Sequence, residues 1–503
     1  MPLCMDKKNE LGVLSRILTK SLWTVCLLAI LVFCFSGCTK NHYSIGGTVT
    51  GLAGSGLEIQ NQNNGDNLSI SANGTFTFAS QVVNGDGCNV IVVTQPSAMS
   101  QICTVSNGYS SGPHANISNI VVSCVTVPHP VTVDPSGKFA YVANTVDNTI
   151  SAYAITSITG VLTAVITGAV DAGTNPYSVT VDPSGQFAYV ANYGSSNISV
   201  YTIGSDGSLT PHTVTPLVAA GTNPFAVTVV VNSSGKFAYV ANYGSNNISV
   251  YTIGSDGSLN PHTVTPLVAA GTNPYSVTID SLGTFAYVAN YGSNNISVYT
   301  IGSDGSLNPH TVTPLVAAGT NPYSVTIDPS GLFAYVANFS SNNISVYTIG
   351  SDGSLNPNTA VATVAAGTNP FSVTVDPLGT FAYVANYGSN NISVYTIGSD
   401  GSLTPGTAVA AGTNPYSVTV DPSGQFAYVA NVGYNTISVY AIESDGSLTP
   451  GTAVAAGTNP FSVTVDPSGK FAYTTNVGDN TVSGYTIGTT GALTSTGPAI
   501  PFE

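Results

Sequence analysis

Charged side chains are scarce in this sequence, and basic ones are the scarcest. Of 503 residues, 8 are Lys or Arg and 23 are Asp or Glu. Beyond residue 37 there is no arginine, and the lysines are Lys40, Lys138, Lys236 and Lys470. Nucleic-acid binding needs clustered Lys and Arg, and a bidentate clamp on a phosphorylated substrate needs Arg. We therefore expect no nucleic-acid partner and no arginine-based phosphate site.

Helix-forming residues are also few. Surface helices are built from Lys, Glu, Arg and Leu, whereas this chain is rich in Val, Ile, Tyr, Thr and Phe and carries 53 Gly and 29 Pro. Such a composition predicts an all-β protein with many turns. Because 43% of the residues are hydrophobic, the chain is not expected to be disordered.

The few basic residues are concentrated at the start of the chain, before an apolar stretch at 21–35 that ends in Phe35-Ser36-Gly37-Cys38. An apolar run of this length suits a signal-peptide core and is short for a membrane span, which needs about 20 residues. The ending resembles a bacterial lipobox, with Phe35 where Leu is usual. The resemblance implies that residues 1–37 are a lipoprotein signal peptide and that Cys38 receives the lipid. The protein would then be exported and anchored in the outer membrane or at the cell surface; an uncleaved anchor and plain secretion are the alternatives.

Three cysteines remain after Cys38. An exported chain folds in an oxidising compartment, and Cys103 and Cys124 flank a segment that reads as strand, turn and strand. We expect these two to form a disulfide, although Cys88 could instead pair with either one. No metal-ligand spacing joins the cysteines to a histidine, and neither a metal nor another cofactor is expected.

Residues 38–127 and 128–503 differ in pattern. The first segment contains short alternating strands between turns, which predicts a small β-sandwich. It resembles the small Ig-like modules that precede repeat regions in bacterial surface proteins.

The second segment is a repeat of 45 to 50 residues. Each unit reads as four strands: A (YSVTV), B (FAYVAN), C (ISVYTI) and D, which follows the turn GSDGS. Strand B begins at Phe139, Phe187, Phe237, Phe285, Phe333, Phe381, Phe426 and, as FAYTTN, Phe471. Strands B and C are apolar on both faces, as expected for a sheet sandwiched between two neighbours. We therefore predict a β-propeller of four-stranded blades, with a linear β-solenoid as the alternative.

The repeat stretch PYSVTVDPSGQFAYVAN and its copies resemble the YVTN-repeat propellers of the lactonase-like group, which also includes archaeal surface-layer proteins. The resemblance covers residues 128–500. Members of this family commonly close with seven blades, but eight complete units are present here. We expect eight blades, with seven blades and a peripheral unit as the alternative. The first unit begins at strand A and the last ends at strand D, so closure would depend on packing between blades.

The topology sorts side chains onto two faces. The A–B and C–D turns form one face, here called the turn face, and the D–A and B–C loops form the other, the loop face. Thirteen acidic residues fall on the turn face: Asp134, Asp182, Asp280, Asp328, Asp376, Asp421 and Asp466 in A–B turns, and Asp206, Asp256, Asp304, Asp352, Asp400 and Asp445 in C–D turns. We interpret them as turn-forming residues, because each sits in its own blade beside Pro or Gly, and not as a calcium site.

The loop face is nearly uncharged and is the candidate ligand-binding surface. Its D–A loops place one ring per unit: His129, Tyr177, Phe225, Tyr275, Tyr323, Phe371, Tyr416 and Phe461. Strand B ends there at Asn192, Asn242, Asn290, Asn338, Asn386 and Asn431, and Tyr193, Tyr243, Tyr291, Phe339 and Tyr387 follow five of these asparagines. Aromatic rings and amides provide flat apolar contact and adaptable hydrogen bonds, which suits a surface protein or glycan ligand. The alternative is that the rings wedge between blades and the asparagines cap turns.

Catalysis is not expected, and no catalytic residue is assigned. Lactonase-type propellers need a metal site of carboxylate and amide ligands, or Arg and His in the channel, whereas His212, His262 and His310 occupy equivalent positions in separate units. No nucleophile–base pair is evident. The sequence therefore favours an exported, lipid-anchored protein whose propeller is a binding or structural scaffold. A lactonase-like hydrolase and a surface-layer-like module without a specific ligand are the alternatives.

Overall fold

The computed structural model describes residues 42–52, 56–83, 86–94, 101–112, 115–126, 131–165 and 169–502. Cys38 and His129 lie outside the described residues. Every regular element in these ranges is a β-strand, and none of them contains a helix long and apolar enough to cross a membrane. The chain divides into two compact units between Cys124 and Val125, with Gln101 and Ile102 grouped with the second unit.

The first unit is a β-sandwich. Its strands are β1 (His42–Tyr43), β2 (Ile45–Thr50), β3 (Leu57–Asn61), β4 (Asp66–Ile70), β5 (Gly74–Thr77), β6 (Val82–Val83), β7 (Cys88–Thr94), β8 (Gln101–Ser106), β9 (Tyr109–Ser110) and β10 (Ile117–Thr126). One sheet has the order β5-β2-β10-β8 and the other β4-β3-β7-β9, while β1 pairs with β6. Alternate residues face the shared core, as Leu57 and Ile59 of β3 show.

The disulfide of this unit joins Cys103 to Cys124, in agreement with the expected pairing. Cys88 is a free, buried thiol, and burial raises its pKa. The bridge links β8 to β10, which are neighbours in one sheet. It therefore ties together two strands that lie side by side in the core.

The second unit is a propeller of eight blades within the described residues. Blade 1 consists of β11 (Thr132–Val133), β12 (Phe139–Asn144), β13 (Thr149–Ile155), β14 (Leu162–Ala164) and β15 (Val170–Asp171). Blade 2 consists of β16 (Pro176–Val181), β17 (Phe187–Asn192), β18 (Asn197–Ile203), β19 (Leu209–Pro211) and β20 (Leu217–Ala219). Blade 3 consists of β21 (Pro224–Asn232), β22 (Gly235–Asn242), β23 (Asn247–Ile253), β24 (Leu259–Pro261) and β25 (Leu267–Ala269). Blade 4 consists of β26 (Pro274–Ile279), β27 (Phe285–Asn290), β28 (Asn295–Ile301), β29 (Leu307–Pro309) and β30 (Leu315–Ala317).

Blade 5 consists of β31 (Pro322–Ile327), β32 (Phe333–Asn338), β33 (Asn343–Ile349), β34 (Leu355–Pro357) and β35 (Thr363–Ala365). Blade 6 consists of β36 (Pro370–Val375), β37 (Phe381–Asn386), β38 (Asn391–Ile397), β39 (Leu403–Pro405) and β40 (Val409–Ala410). Blade 7 consists of β41 (Pro415–Val420), β42 (Phe426–Asn431), β43 (Thr436–Ile442), β44 (Leu448–Pro450) and β45 (Val454–Ala455). Blade 8 consists of β46 (Pro460–Val465), β47 (Phe471–Asn476), β48 (Thr481–Ile487), β49 (Leu493–Ser495) and β50 (Ile500–Pro501).

Each blade has the predicted A-B-C-D order, but its outer strand is interrupted. The third strand pairs with the second along one edge and with both outer pieces along the other, so the two pieces together form strand D. In blade 4, for example, β28 pairs with β29 through Tyr299–Ile301 and with β30 through Asn295–Ser297. Short, broken edge strands ending in proline are poor templates for pairing with another chain.

The ring closes without strand exchange, as predicted from the repeat boundaries. A threonine hydroxyl of each strand A donates to a valine carbonyl of the next strand A at 2.6–2.9 Å, and the Thr464 hydroxyl donates to Val131 of blade 1. A tyrosine hydroxyl of each strand B donates to a glycine carbonyl in the next C–D turn at 2.9–3.1 Å, and Tyr473 completes this second circle at Gly160. Side chains of blades 8 and 1 also share one apolar cluster.

Candidate functional site

Hydrogen bonds between neighbouring loops hold the loop face in place. Asn321 lies in a D–A loop and has φ of 57°, a left-handed conformation that Asn tolerates. Its backbone N–H donates to Asn294 Oδ1 at 2.8 Å and its side-chain amide to the carbonyl of Tyr291 at 3.1 Å, both in the B–C loop of the preceding blade. Its carbonyl accepts from the N–H of Phe339, in the B–C loop of its own blade. The loops therefore form a linked, preorganised surface.

The predicted D–A rings converge at the mouth of the central channel, apart from His129, which is outside the described residues. These seven side chains, called the inner ring, are Tyr177, Phe225, Tyr275, Tyr323, Phe371, Tyr416 and Phe461. Successive ring centroids are 3.7–4.7 Å apart. The Tyr275 hydroxyl lies near those of Tyr177 and Tyr416, which come from distant blades. The rings of successive blades therefore pack on one another at the channel mouth.

Packing leaves little of the inner ring accessible. Tyr177, Phe225, Tyr416 and Phe461 are buried, whereas Tyr275, Tyr323 and Phe371 are half-buried. Burial also raises the pKa of all four tyrosines well above the usual value. Their phenols therefore stay neutral at physiological pH. The inner ring therefore packs beneath the loop face and offers little of its own area to a ligand.

The six predicted asparagines, Asn192, Asn242, Asn290, Asn338, Asn386 and Asn431, are not on the surface. Each is completely buried, with 0% of its area exposed. In blade 5, Asn338 Nδ2 donates to Asn343 Oδ1 and Ser345 Oγ of the adjacent strand C at 2.9 Å. The expectation that these amides face a ligand is corrected by this geometry, because strand C supplies their partners inside the blade.

The aromatic residues that follow these asparagines are more accessible. Tyr193, Tyr243, Tyr291, Phe339 and Tyr387 are half-buried, and we call this set the aromatic crescent because it spans blades 2 to 6 only. Blades 7, 8 and 1 have the smaller Val432, Val477 and Thr145 at the equivalent position, and all three are buried. The sequence signal for the crescent is therefore a change of residue type at one repeat position.

Charge divides the loop face further. Asp147 and Asp479 are exposed in the B–C loops of blades 1 and 8, and Asp171 is exposed in strand D of blade 1. The three lysines of the propeller follow A–B turns and so lie at the turn face. The loop face is thus neutral over the aromatic crescent and acidic at blades 8 and 1, which refines the expectation of a nearly uncharged face.

The aspartates of the turn face act as turn formers. Asp328 Oδ1 accepts from the backbone N–H groups of Leu332 and Phe333 at 3.0 and 2.8 Å, and the equivalent atoms of the other six aspartates of the A–B turns do the same. Burial acts to raise the pKa of Asp182, but hydrogen bonds from Ser184 and the Lys236 ammonium outweigh it, and the pKa is lowered. In the described ranges, no three His, Cys, Asp or Glu side chains are grouped to hold a metal ion.

A cavity of about 380 Å³ opens at the opposite end of the channel from the inner ring. Its walls are side chains of blades 5 to 8, including Thr374, Val375 and Pro377.

The His212, His262 and His310 imidazoles are buried at the rim of separate blades, each facing an aspartate of the next blade at 3.5–3.9 Å. None of these features brings two histidines together.

Comparison with known proteins identifies the fold family. The model described as "Lactonase, 7-bladed beta-propeller" matches residues 91–225, 211–314 and 267–503. No curated protein matches the chain. Among solved structures, Sqt1 from Chaetomium thermophilum is 11% identical, with a TM-score of 0.53 over 68% of this chain and 92% of its own. A protein from Lactobacillus plantarum is 21% identical, with a TM-score of 0.50 over 62% of this chain and 93% of its own.

A periplasmic gluconolactonase of Pseudomonas aeruginosa is 19% identical, with a TM-score of 0.48 over 62% of this chain and 93% of its own. At these identities the structural likenesses show the fold alone. The family description states seven blades, whereas the described residues here form eight. Matches that together span residues 91–503 establish that the chain belongs to the lactonase family of β-propellers.

Proposed function

We propose that this protein is a binding scaffold whose propeller holds an uncharged protein or glycan ligand on the loop face. The observation that carries the proposal is the aromatic crescent: five half-buried aromatic side chains on linked loops, on the face that has no lysine. Rigid aromatic side chains provide contact area at low entropic cost. The turn face concentrates carboxylates, which would repel acidic partners within a Debye length of about 8 Å.

A glycan and secreted-protein array probed with the full chain tests this proposal. Binding should be only weakly salt-dependent, because almost no charge is involved. Tyr291→Ala with Phe339→Ala should weaken the binding of any ligand found, whereas Asp304→Asn with Asp352→Asn on the turn face should not. The reverse pattern, or affinity that collapses at high salt, would move the site to the turn face.

We also propose that the protein is exported and held at the membrane by a lipid on Cys38. The support is the basic start, the apolar run and the FSGC ending of residues 1–38. Metabolic labelling with a palmitate analogue should mark the full-length chain, and Cys38→Ala should abolish the label while Cys88→Ala leaves it. Label that persists in Cys38→Ala would remove the anchor from the proposal.

A lactonase-like hydrolase is the second candidate, because the family model carries that name. Lactones, with and without a chelator, should be offered to the purified protein as substrates. Turnover that a chelator abolishes would replace the scaffold proposal with a metal-dependent hydrolase.

A further inference from the structure

We propose that the ligand of the loop face is a linear, neutral polysaccharide whose successive sugar units lie along the aromatic crescent from blade 2 to blade 6. This inference rests on the proposed function and specifies the ligand class for that same face. A protein is the alternative occupant, and the test below distinguishes the two.

The crescent repeats one aromatic contact in three of its five blades. In three blades the outer aromatic ring stands nearly perpendicular to the inner-ring residue of the next blade. The interplanar angle is 81° for Tyr193 with Phe225, 77° for Tyr291 with Tyr323 and 84° for Phe339 with Phe371. Tyr193, Tyr291 and Phe339 are therefore held in similar orientations relative to the inner ring of the next blade. A row of aromatic side chains at one repeat position matches a ligand that is itself a repeat of equivalent units.

Each blade of the crescent also adds a hydroxyl group. The D–A loops leading into blades 2 to 6 carry the exposed threonines Thr174, Thr222, Thr272, Thr320 and Thr368. A sugar ring has one apolar C–H face and hydroxyl groups around its edge. An aromatic ring with a nearby hydroxyl offers a partner to both parts, as in binding loops that combine Tyr with Ser and Asn. A peptide of mixed side chains has no such period.

Preorganisation favours this ligand further. The Asn321 bonds that join neighbouring loops recur along the crescent, as Asn273 shows with Asn246 at 2.8 Å and Tyr243 at 3.0 Å. Binding therefore orders few groups that were free before, which lowers its entropic cost. Weak contacts of single sugar units can then add along the chain.

The acidic residues of the loop face limit the charge of the ligand. Asp147 and Asp171 of blade 1 are exposed next to the blade 2 end of the crescent, and Asp479 is exposed on blade 8, beyond blade 7 at the other end. They would repel uronate or sulfate groups, and no lysine lies on this face to balance such charges. A neutral chain of about five units matches the number of aromatic positions.

The test is titration calorimetry of the full chain with neutral linear oligosaccharides of two to seven units, from the cellulose, amylose, chitin and mannan series. In one series the affinity should rise about 2- to 10-fold for each added unit and level off near five units, which is the gain expected for one aromatic contact. An oligogalacturonate of the same length should bind at least tenfold more weakly.

Variants locate the subsites. Tyr193→Ala, at one end of the crescent, should make the affinity level off one unit earlier, and Tyr291→Ala at its centre should weaken the longest oligosaccharides most. Tyr434→Ala is the matched control, since Tyr434 is 67% exposed in the B–C loop of blade 7, outside the crescent. Thermal unfolding of each variant checks that the propeller is intact.

Three results would overturn this inference: no neutral series binds, affinity is independent of length, or Tyr434→Ala weakens binding as much as Tyr291→Ala. If a protein from the array binds instead and Tyr291→Ala weakens that binding, the scaffold function stands and the polysaccharide inference fails. If every ligand found is insensitive to the crescent variants, both fail.

Discussion

At the residue scale, the buried rim histidines show how one hydrogen-bonding role can be filled by two residue types. His310 Nδ1 accepts from the backbone N–H groups of Val312 and Thr313 at 3.3 and 3.0 Å, so its Nε2 carries the proton and faces Asp352. Blade 5 has Asn358 at this position. Its Oδ1 accepts from two backbone N–H groups, and its Nδ2 donates to the Asp400 carbonyl at 2.7 Å.

This equivalence predicts different costs for two substitutions of one residue. His310→Asn should change the free energy of unfolding by less than about 0.5 kcal/mol, because the amide supplies the same acceptor and donor. His310→Ala should cost about 1–3 kcal/mol, since it leaves two N–H groups without an acceptor and opens a cavity. Denaturant unfolding at neutral pH measures both. An Asn variant as unstable as the Ala variant would mean that the imidazole contributes something the amide cannot.

At the element scale, the blades were predictable because local pattern and tertiary role agree. FAYVAN and ISVYTI are apolar on both faces, and the structure buries β32 and β33 between neighbouring blades. DPSG predicted the A–B turn, where Asp328 accepts two backbone N–H bonds as such turns require. The break in strand D was not predictable, because both of its pieces contain alternating residues of strand type.

The candidate site was less predictable than the strands. The sequence places the inner-ring residues on one face but does not show that rings from adjacent blades meet at 3.7–4.7 Å. Whether Asn338 faces solvent or strand C depends on the position of Ser345, seven residues later. Both outcomes depend on contacts between elements, which repeat periodicity does not encode.

The sandwich gives a prediction at the same scale. Cys103 and Cys124 close a loop with a sequence separation of 21 residues. Replacing both with Ala should destabilise this unit by about 3 kcal/mol, the loss expected when a loop of this size is opened in the unfolded chain. Hydrogen exchange of peptides from β2, β8 and β10 measures the change.

Peptides from the propeller provide the internal reference for that measurement. Cys88→Ala is the matched control, since Cys88 is a buried free thiol in the same core. Faster exchange throughout the propeller, or an equal effect of Cys88→Ala, would contradict the assigned role of the bridge.

At the scale of the whole molecule, one interface of the ring has a threonine and a glycine at two positions where the other seven have only Ala or Val. Between blades 7 and 8, Ala430 and Val439 of blade 7 pack in an apolar cluster with blade 8. The equivalent residues at the contact of blade 8 with blade 1 are Thr475 and Gly484. The Thr475 hydroxyl is buried without a hydrogen-bond partner, and Gly484 supplies no side chain for packing. The closing interface is therefore expected to be the weakest of the ring.

This difference predicts opposite effects for reciprocal substitutions. Thr475→Ala removes a buried, unpartnered hydroxyl and should stabilise the propeller by about 1 kcal/mol. Ala430→Thr places the same hydroxyl in the interface between blades 7 and 8 and should destabilise it by at least as much, because Ala430 is completely buried. Urea unfolding gives the free energies, and hydrogen exchange of β11, β12 and β47 reports opening of the closing interface. Because closure depends on packing and not on an exchanged strand, Thr475→Ala should slow exchange in all three strands together. A destabilised Thr475→Ala variant, or protection confined to β47, would show that the hydroxyl is satisfied in solution and that another interface opens first.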